Sequence, residues 1–383
     1  MAMMDRINEK IRELTPEYTR LWAEICTIES PTVYKAGVDA VCRRLTEYAE
    51  AKGWQTEICP QEVSGDVACI TLHPGAPGAP IALSGHMDTV HPVGSFGTPA
   101  VRMDETKIYG PGVQDCKGGI IAAMLAMDAL EQCGFDARPV MLLLQSDEEK
   151  GSMPSRQATI NWICEKAKGA AAFLNGEGRS SGKALVCCKG ILRFEFRVHG
   201  VGGHSSQCYK LSNAILDATY RIQELEKQKN PDGITCNCGT ISGGTVPNAV
   251  AEECVFTADF RFPQYTDMEV IREIVRRAAE AEHLSGCRCE AVEISHRPPM
   301  ERVQRNLDLL AHINEILAAR GMQTLEPTRA NGGTDAAYVT LAGIPCVDSF
   351  GVIGGSIHTV NEFALLDSLP STAELICTVI AGF

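Results

Sequence analysis

The chain has no apolar run approaching the roughly 18 residues of a membrane span, so no transmembrane helix is expected. Its N-terminal stretch, MAMMDRINEKIRELTPEY, has no apolar core behind a basic start. It does not read as a secretory leader, and the expectation is a cytoplasmic protein. Clusters of lysine and arginine are missing, and the net charge of −13 works against a nucleic-acid surface. That balance names no substrate. Internal repeats and low-complexity segments are absent as well. So is the C-x-x-C spacing of a structural zinc site, although the chain has 17 cysteines. Cys26, Cys164 and Cys377 fall inside apolar runs, where a thiol behaves as a small hydrophobe. Reduced thiols in a reducing compartment are expected, with a cysteine-based redox or metal-storage role as a lesser alternative.

What remains is an ordinary soluble composition, 45% apolar and 22% charged, in 383 residues, enough for two or three domains. The residues from Tyr34 to Lys52 have helical apolar spacing, and Trp54–Cys59 and Val67–Leu72 read as strands. Pro80 to Asp88, PIALSGHMD, reads as a short buried strand running into a polar turn. A loop-rich stretch covers His91 to Tyr109. Helix Gly118–Cys133, buried strand Val140–Gln145, helix Arg156–Lys168 and strand Ala170–Leu174 complete a βαβ rhythm, which implies an α/β domain with a mixed or parallel sheet.

The pattern changes near Lys189. LRFEFRV alternates as a half-exposed antiparallel strand. From there the order strand, helix, strand, strand, helix, strand runs to Ser295, that of a small α+β sandwich. Pro298-Pro299 closes it. Helices at Asn306–Arg320 and Asp335–Ala342, a strand at Ile344–Phe350 and a helix from Ser368 return to the first style. The expected organisation is one domain from 1–188 and 299–383, interrupted by an inserted domain at 189–298.

Metal-type ligands recur where strands end, the place where open α/β sheets carry their sites. His86 and Asp88 lie two apart on an extended segment and face one side, which suits a carboxylate standing behind a metal-bound imidazole. Asp115 ends a glycine-rich turn, Glu148 and Glu149 follow a buried strand, Glu177 follows the next, and His358 follows a glycine-rich loop. Singly, each has a plainer role: Asp115 as a helix N-cap, the Glu pair as a solvated turn, Glu177 and His358 as surface residues. Together, two histidines and three carboxylates suit two zinc ions and a hydrolytic site, with one further carboxylate as general base.

At these residues the sequence resembles the co-catalytic zinc exopeptidases and deacylases that include glutamate carboxypeptidase, acetylornithine deacetylase, succinyl-diaminopimelate desuccinylase and peptidase T. The motifs SGHMDTV, YGPGVQDCKGG, SDEEKGSMPSR, GGTDAAY and a late histidine before Asn-Glu carry the likeness, which covers nearly the whole chain. Within the family it is most similar to the bacterial glutamate carboxypeptidases. The resemblance implies a catalytic domain with a central mixed sheet, and an inserted ferredoxin-like dimerisation or lid domain in a homodimer. It implies His86 and Glu177 on one zinc, Glu149 and His358 on the other, and Asp115 bridging, with cobalt or manganese as other working metals. Glu148 would be general base toward a water held between the ions. Asp88 would stand behind His86 without touching metal, and its loss should weaken catalysis more than folding.

In the inserted domain, the resemblance makes His204 an oxyanion-stabilising residue that reaches the neighbouring subunit's site. It suggests Asn248 and Arg261 for a substrate carboxylate, with Arg297 a weaker third and Arg329 another cation in reach. Four positions depart from the pattern: Gly178 where proline is common, Cys116 where Met or Asp is commoner, and Ser205-Ser206 where Ala-Gly is more usual. The implied activity is hydrolysis of an amide beside a free carboxylate, in a small peptide or N-acyl amino acid. The alternatives are an N-acyl-amino-acid deacetylase or aminoacylase, and a catalytically silent peptide- or metal-binding relative.

Overall fold

Strand Ile81–His86 is buried at every residue, and the first of two structural units is built around it. The computed structural model describes residues 3–383. Val140–Gln145 and Ala172–Asn175 flank that strand, both parallel to it. Their apolar residues face buried surroundings on both sides, so the runs are continuous rather than alternating. The six-stranded sheet runs Gln55–Cys59, Val67–Leu72, Val140–Gln145, Ile81–His86, Ala172–Asn175, Cys346–Val347. The first two strands are antiparallel to their neighbours and the last is parallel, giving the expected mixed α/β sheet. Helix Lys117–Gln132 packs on the central strands and is covered by helices Met3–Thr27 and Ser368–Gly382. Wrapped this way it is buried from Lys117 to Leu130, which its apolar composition permits.

Three departures from the sequence reading have local causes. Strand Ile344–Phe350 shortens to Cys346–Val347, because Asp348 pairs with Leu185 and the Phe350 N–H donates to the Asn175 carbonyl. The stretch from His91 to Tyr109 holds two short strands, Arg102–Met103 and Lys107–Tyr109, which join Phe363–Leu365 and Gly354–Gly355 in a second sheet. Such short strands carry too little periodicity to be read locally. Strands Lys183–Cys188 and Glu326–Ala330 also pair unannounced.

The second unit comprises Cys187–Glu301 and Ala330–Gly333. The last four residues fall outside the inserted domain drawn from the sequence. They join it because the Lys189 N–H donates to the Ala330 carbonyl and because Gly333 lies against Arg297 and Ile191. Its sheet runs Thr235–Gly243, Glu253–Phe262, Gly190–His199, Arg288–Arg297, all antiparallel. Helices Ala214–Leu225 and Asp267–Glu280 pack on it, the ferredoxin-like arrangement. Leu192, Phe194, Phe196 and Val198 turn into the core between them, as the alternation LRFEFRV predicts.

Candidate active site

His86 ends the central strand with its side chain buried. Its Nδ1 lies 2.9 Å from the Asp88 carbonyl oxygen, which can only accept, so Nδ1 donates. That leaves Nε2 facing Asp115 Oδ1 at 3.0 Å and Glu177 Oε1 at 3.6 Å. The other oxygen of Asp115 lies 3.1 Å from His358 Nε2, and Glu149 Oε2 is 3.4 Å from the same nitrogen. Asp115 therefore presents one oxygen to each imidazole, and Glu177 and Glu149 stand at the two ends. All five residues come together in the first unit. Asp115 is not the N-cap of helix Lys117–Gln132, a position that falls to Cys116.

Adjacent side chains on an extended strand diverge, so Glu148 and Glu149 can share a site only if the chain bends. It does: Glu148–Lys150 forms a 3-10 turn that closes at Gly151, φ 63°. The fully buried Asp88 fixes that turn. Its carboxylate accepts the backbone N–H groups of Glu148 and Glu149, each at 3.2 Å, and the Thr32 hydroxyl at 2.7 Å. Its nearer carboxylate oxygen is 3.4 Å from His86 Nδ1, farther than its own carbonyl. Asp88 thus holds His86 chiefly through the main chain and the Glu148 turn through the side chain. Glu148 itself is buried and lines a small pocket together with His86, Gln145, Asn175, Glu177 and Asp335.

The electrostatics of the cluster favour positive charge. Hydrogen bonds to Asp115 and then Glu149 push His358 up to about 10, against a smaller opposing effect of burial. Burial raises Glu149 to about 7, partly offset by His358. Burial opposes ionisation of Asp115, but hydrogen bonds from His358 and His86 hold it below the usual carboxylate range.

The profile of peptidase family M20/M25/M40 matches residues 82–382. The chain belongs to that family. Carboxypeptidase G2 from Pseudomonas sp. (strain RS-16) is 28% identical over 325 residues, covering 80% of this chain and 76% of that protein. Succinyl-diaminopimelate desuccinylase from Dinoroseobacter shibae is 25% identical over 319 residues, 78% of this chain and 82% of that one. A tripeptidase from Staphylococcus aureus has the same fold, with a TM-score of 0.81, 19% identity and coverage of 96% and 97%.

Members of the M20 family are dinuclear metal enzymes. The donor set here fits such a pair of ions. One nitrogen of His86 and one oxygen each of Asp115 and Glu149 lie within 4.8 Å of one another. Two imidazoles and three carboxylates are the ligand types zinc accepts at about 2.0–2.2 Å.

Residues without an assigned role in the sequence reading hold this M20 site in place. The carboxylate of Glu362, 1% exposed, accepts the N–H groups of Gly112, Gln114 and Asp115 and pairs with His91 Nε2 at 2.9 Å. It fixes the loop that carries the shared Asp115. Its only signal in the sequence is its place after His358 in the Asn-Glu motif. The GGTDAAY motif acts similarly: Asn175 donates to Thr334, Thr334 to Asp348, and Gln145 to Asp335. That network braces the ends of the two strands beside the central one.

Gly178, the departure from the family's proline, has a physical partner. A Cβ built on it would lie 2.4 Å from Gln114 Nε2, and its φ is outside the left-handed region. The amide of Gln114, not the backbone, is what keeps a side chain out. Gly178→Ala is expected to weaken metal binding about tenfold by displacing the neighbouring Glu177, the size usual for disturbing a ligand's support. Adding Gln114→Ala should restore it. A zinc competition titration on the two single variants and the double variant checks this, and additive effects would refute the pairing.

Of the other site candidates, Arg329 lies in the first unit, while His204, Asn248, Arg261 and Arg297 lie in the second and fall into two groups. His204 pairs with Ala249 across short strands, and the Ser205 N–H donates to the Asn248 carbonyl, so His204 and Asn248 are exposed neighbours. Arg261 and Arg297 flank Ile191 from either side in one cross-strand row. That row is eight residues along its strand from His199, about 26 Å at 3.3 Å per residue. Asn248 lies in the loop beyond Gly243, whose partner Cys254 pairs with Val198 at that far end. Arg261 is also already engaged: Asp259 takes its Nε at 2.6 Å, and Nη1 donates to the Asn331 carbonyl.

Proposed function

We propose that this M20 enzyme is a carboxypeptidase-type amidohydrolase that releases a C-terminal glutamate or similar residue from a small peptide or N-acyl amino acid. The observation that supports the reading is Glu148, a buried carboxylate whose backbone N–H is held by Asp88 beside the cluster of His86, Asp115, Glu149, Glu177 and His358. Likeness to carboxypeptidase G2 over 80% of the chain favours this specificity. His86 and Glu177 would hold one ion, Glu149 and His358 the other, with Asp115 between; zinc is the proposed metal. Bound there, the ions would supply positive charge that polarises the scissile carbonyl and acidifies water.

The protein's own part is proton handling and alignment. Glu148 takes a proton from the attacking water and returns it to the leaving amine. Asp88 keeps the Glu148 main chain from moving during that transfer. His204 Nδ1 accepts the Ser206 N–H at 3.2 Å, so a neutral ring carries its proton on Nε2, ready to donate to an oxyanion. We place that donor in the active site of a partner subunit, in a homodimer formed through the second unit. Asn248 and Arg261 are the proposed partners of the substrate carboxylate, with Arg297 a weaker third. We also place the protein in the cytoplasm, a reducing compartment where thiols such as Cys26 and Cys377 stay reduced.

Likeness to a desuccinylase favours a second reading, removal of an acyl group from an N-acyl amino acid. Initial rates of the zinc-loaded enzyme on N-acyl-glutamates, dipeptides ending in glutamate, N-acetylornithine and N-succinyl-diaminopimelate separate the two. The expected result is a kcat/KM at least about 100-fold higher on the glutamate compounds, the discrimination that matched polar groups provide. A reversed ratio establishes the deacylase, and no hydrolysis of any compound establishes a silent relative.

A further inference from the structure

We infer that Ser206 is a positioning residue for His204: its hydroxyl donates to Nδ1 and holds the ring with the Nε2 proton presented to a substrate oxyanion. The inference rests on the reading of His204 as the oxyanion donor and adds a residue to it.

The main chain of His204 is fixed from two sides. Gly203 and His204 pair with Val250 and Ala249, and the Ser205 N–H donates to the Asn248 carbonyl at 3.0 Å. The chain then enters a 3-10 helix, Ser205–Lys210, with His204 at its N-cap. What remains free is the ring, which is exposed and so is not locked by burial.

Two groups of Ser206 meet that ring at Nδ1, the backbone N–H at 3.2 Å and the hydroxyl oxygen at 2.8 Å. A backbone N–H has a fixed direction, so Nδ1 offers it a lone pair and the ring proton is left on Nε2. A hydroxyl rotates, and beside an unprotonated nitrogen it turns to donate. Any residue but proline at this position would bring the N–H. Only the side chain brings the shorter contact, and the glycine more usual here has none. A ring ordered beforehand has less freedom to lose when Nε2 meets the developing charge.

Kinetics and imidazole NMR together test the assignment. Ser206→Ala removes the hydroxyl and keeps the N–H, while Ser206→Thr keeps both. The substrate is whichever compound of the panel above the zinc-loaded enzyme cleaves fastest. Ser206→Ala is expected to lower kcat about 3–10-fold with KM unchanged, the worth of one hydrogen bond felt only in the transition state. Ser206→Thr should keep native kcat. In a His204→Ala background Ser206→Ala should have no further effect, since the hydroxyl acts only through the ring. With 15N-labelled histidines at about pH 8.5, where exposed rings are neutral, His204 should give the signals of the Nε2–H tautomer. Those signals, identified by their loss in His204→Ala, should move toward tautomer averaging in Ser206→Ala and not in Ser206→Thr. Native kcat in Ser206→Ala, or additive losses in the double variant, would overturn the role of Ser206 and leave His204 as the donor. An Nδ1–H tautomer in the native protein would overturn it as well. Native kcat in His204→Ala would overturn the reading of His204, and Ser206 with it. So would a lack of hydrolysis across the whole panel.

Discussion

Glu148→Gln is expected to lower turnover by about 10²–10⁴-fold, the usual worth of a positioned acid–base group, while metal content stays native. Glutamine has the shape of glutamate but cannot take a proton and return it. It also leaves untouched the backbone N–H that Asp88 holds. The buried position allows water no easy substitute route for the proton. Turnover numbers, with zinc measured on the same sample, check the assignment. Native turnover in a folded, zinc-replete variant would show that the proton moves elsewhere.

Asp88→Ala should be costly in two separate ways. Three donors lose their acceptor at once: two backbone N–H groups and the Thr32 hydroxyl. Each buried donor left unsatisfied costs about 1–3 kcal/mol, moderated where water enters the space. The sequence alone suggests that Asp88 matters to catalysis more than to folding, and the three donors add an expected folding cost to that. The turn carrying Glu148 and Glu149 should loosen, so activity should fall at least about 100-fold and zinc affinity about 10–100-fold. Denaturant midpoint, zinc titration and kcat/KM are the three measurements. A destabilised variant whose folded fraction kept native kcat/KM would show that the turn needs no such anchor.

The strands Val67–Leu72 and Val140–Gln145 emerge with the same bounds from sequence and structure, because each is a bounded apolar run. The cluster of His86, Asp115, Glu149, Glu177 and His358 is also readable, since these residues follow strands or lie in turns and have the chemistry of metal donors. Helix Met3–Thr27 escapes a reading that looks there only for a leader, although Ile7, Ile11, Leu14, Tyr18, Leu21, Trp22 and Ile25 recur at helical spacing. Other features were out of reach in principle. Glu362 and Gln114 act through contacts with residues distant in sequence, and such contacts leave no periodic trace. The two-residue strand Cys346–Val347 is set by the pairing of Asp348 with Leu185, a tertiary event.

The hydrogen bond from the Asp115 N–H to Glu362 joins positions 247 apart in the chain, and His358 comes from the same late segment. Until that segment has been synthesised and docked, the Asp115 loop lacks its anchor and one imidazole is missing. Contacts of such separation close late in folding because the loop between them must first be ordered. Ion uptake is thus a closing event in the life of a new chain, and a partly made polypeptide offers its carboxylates to a metal without the geometry to keep it.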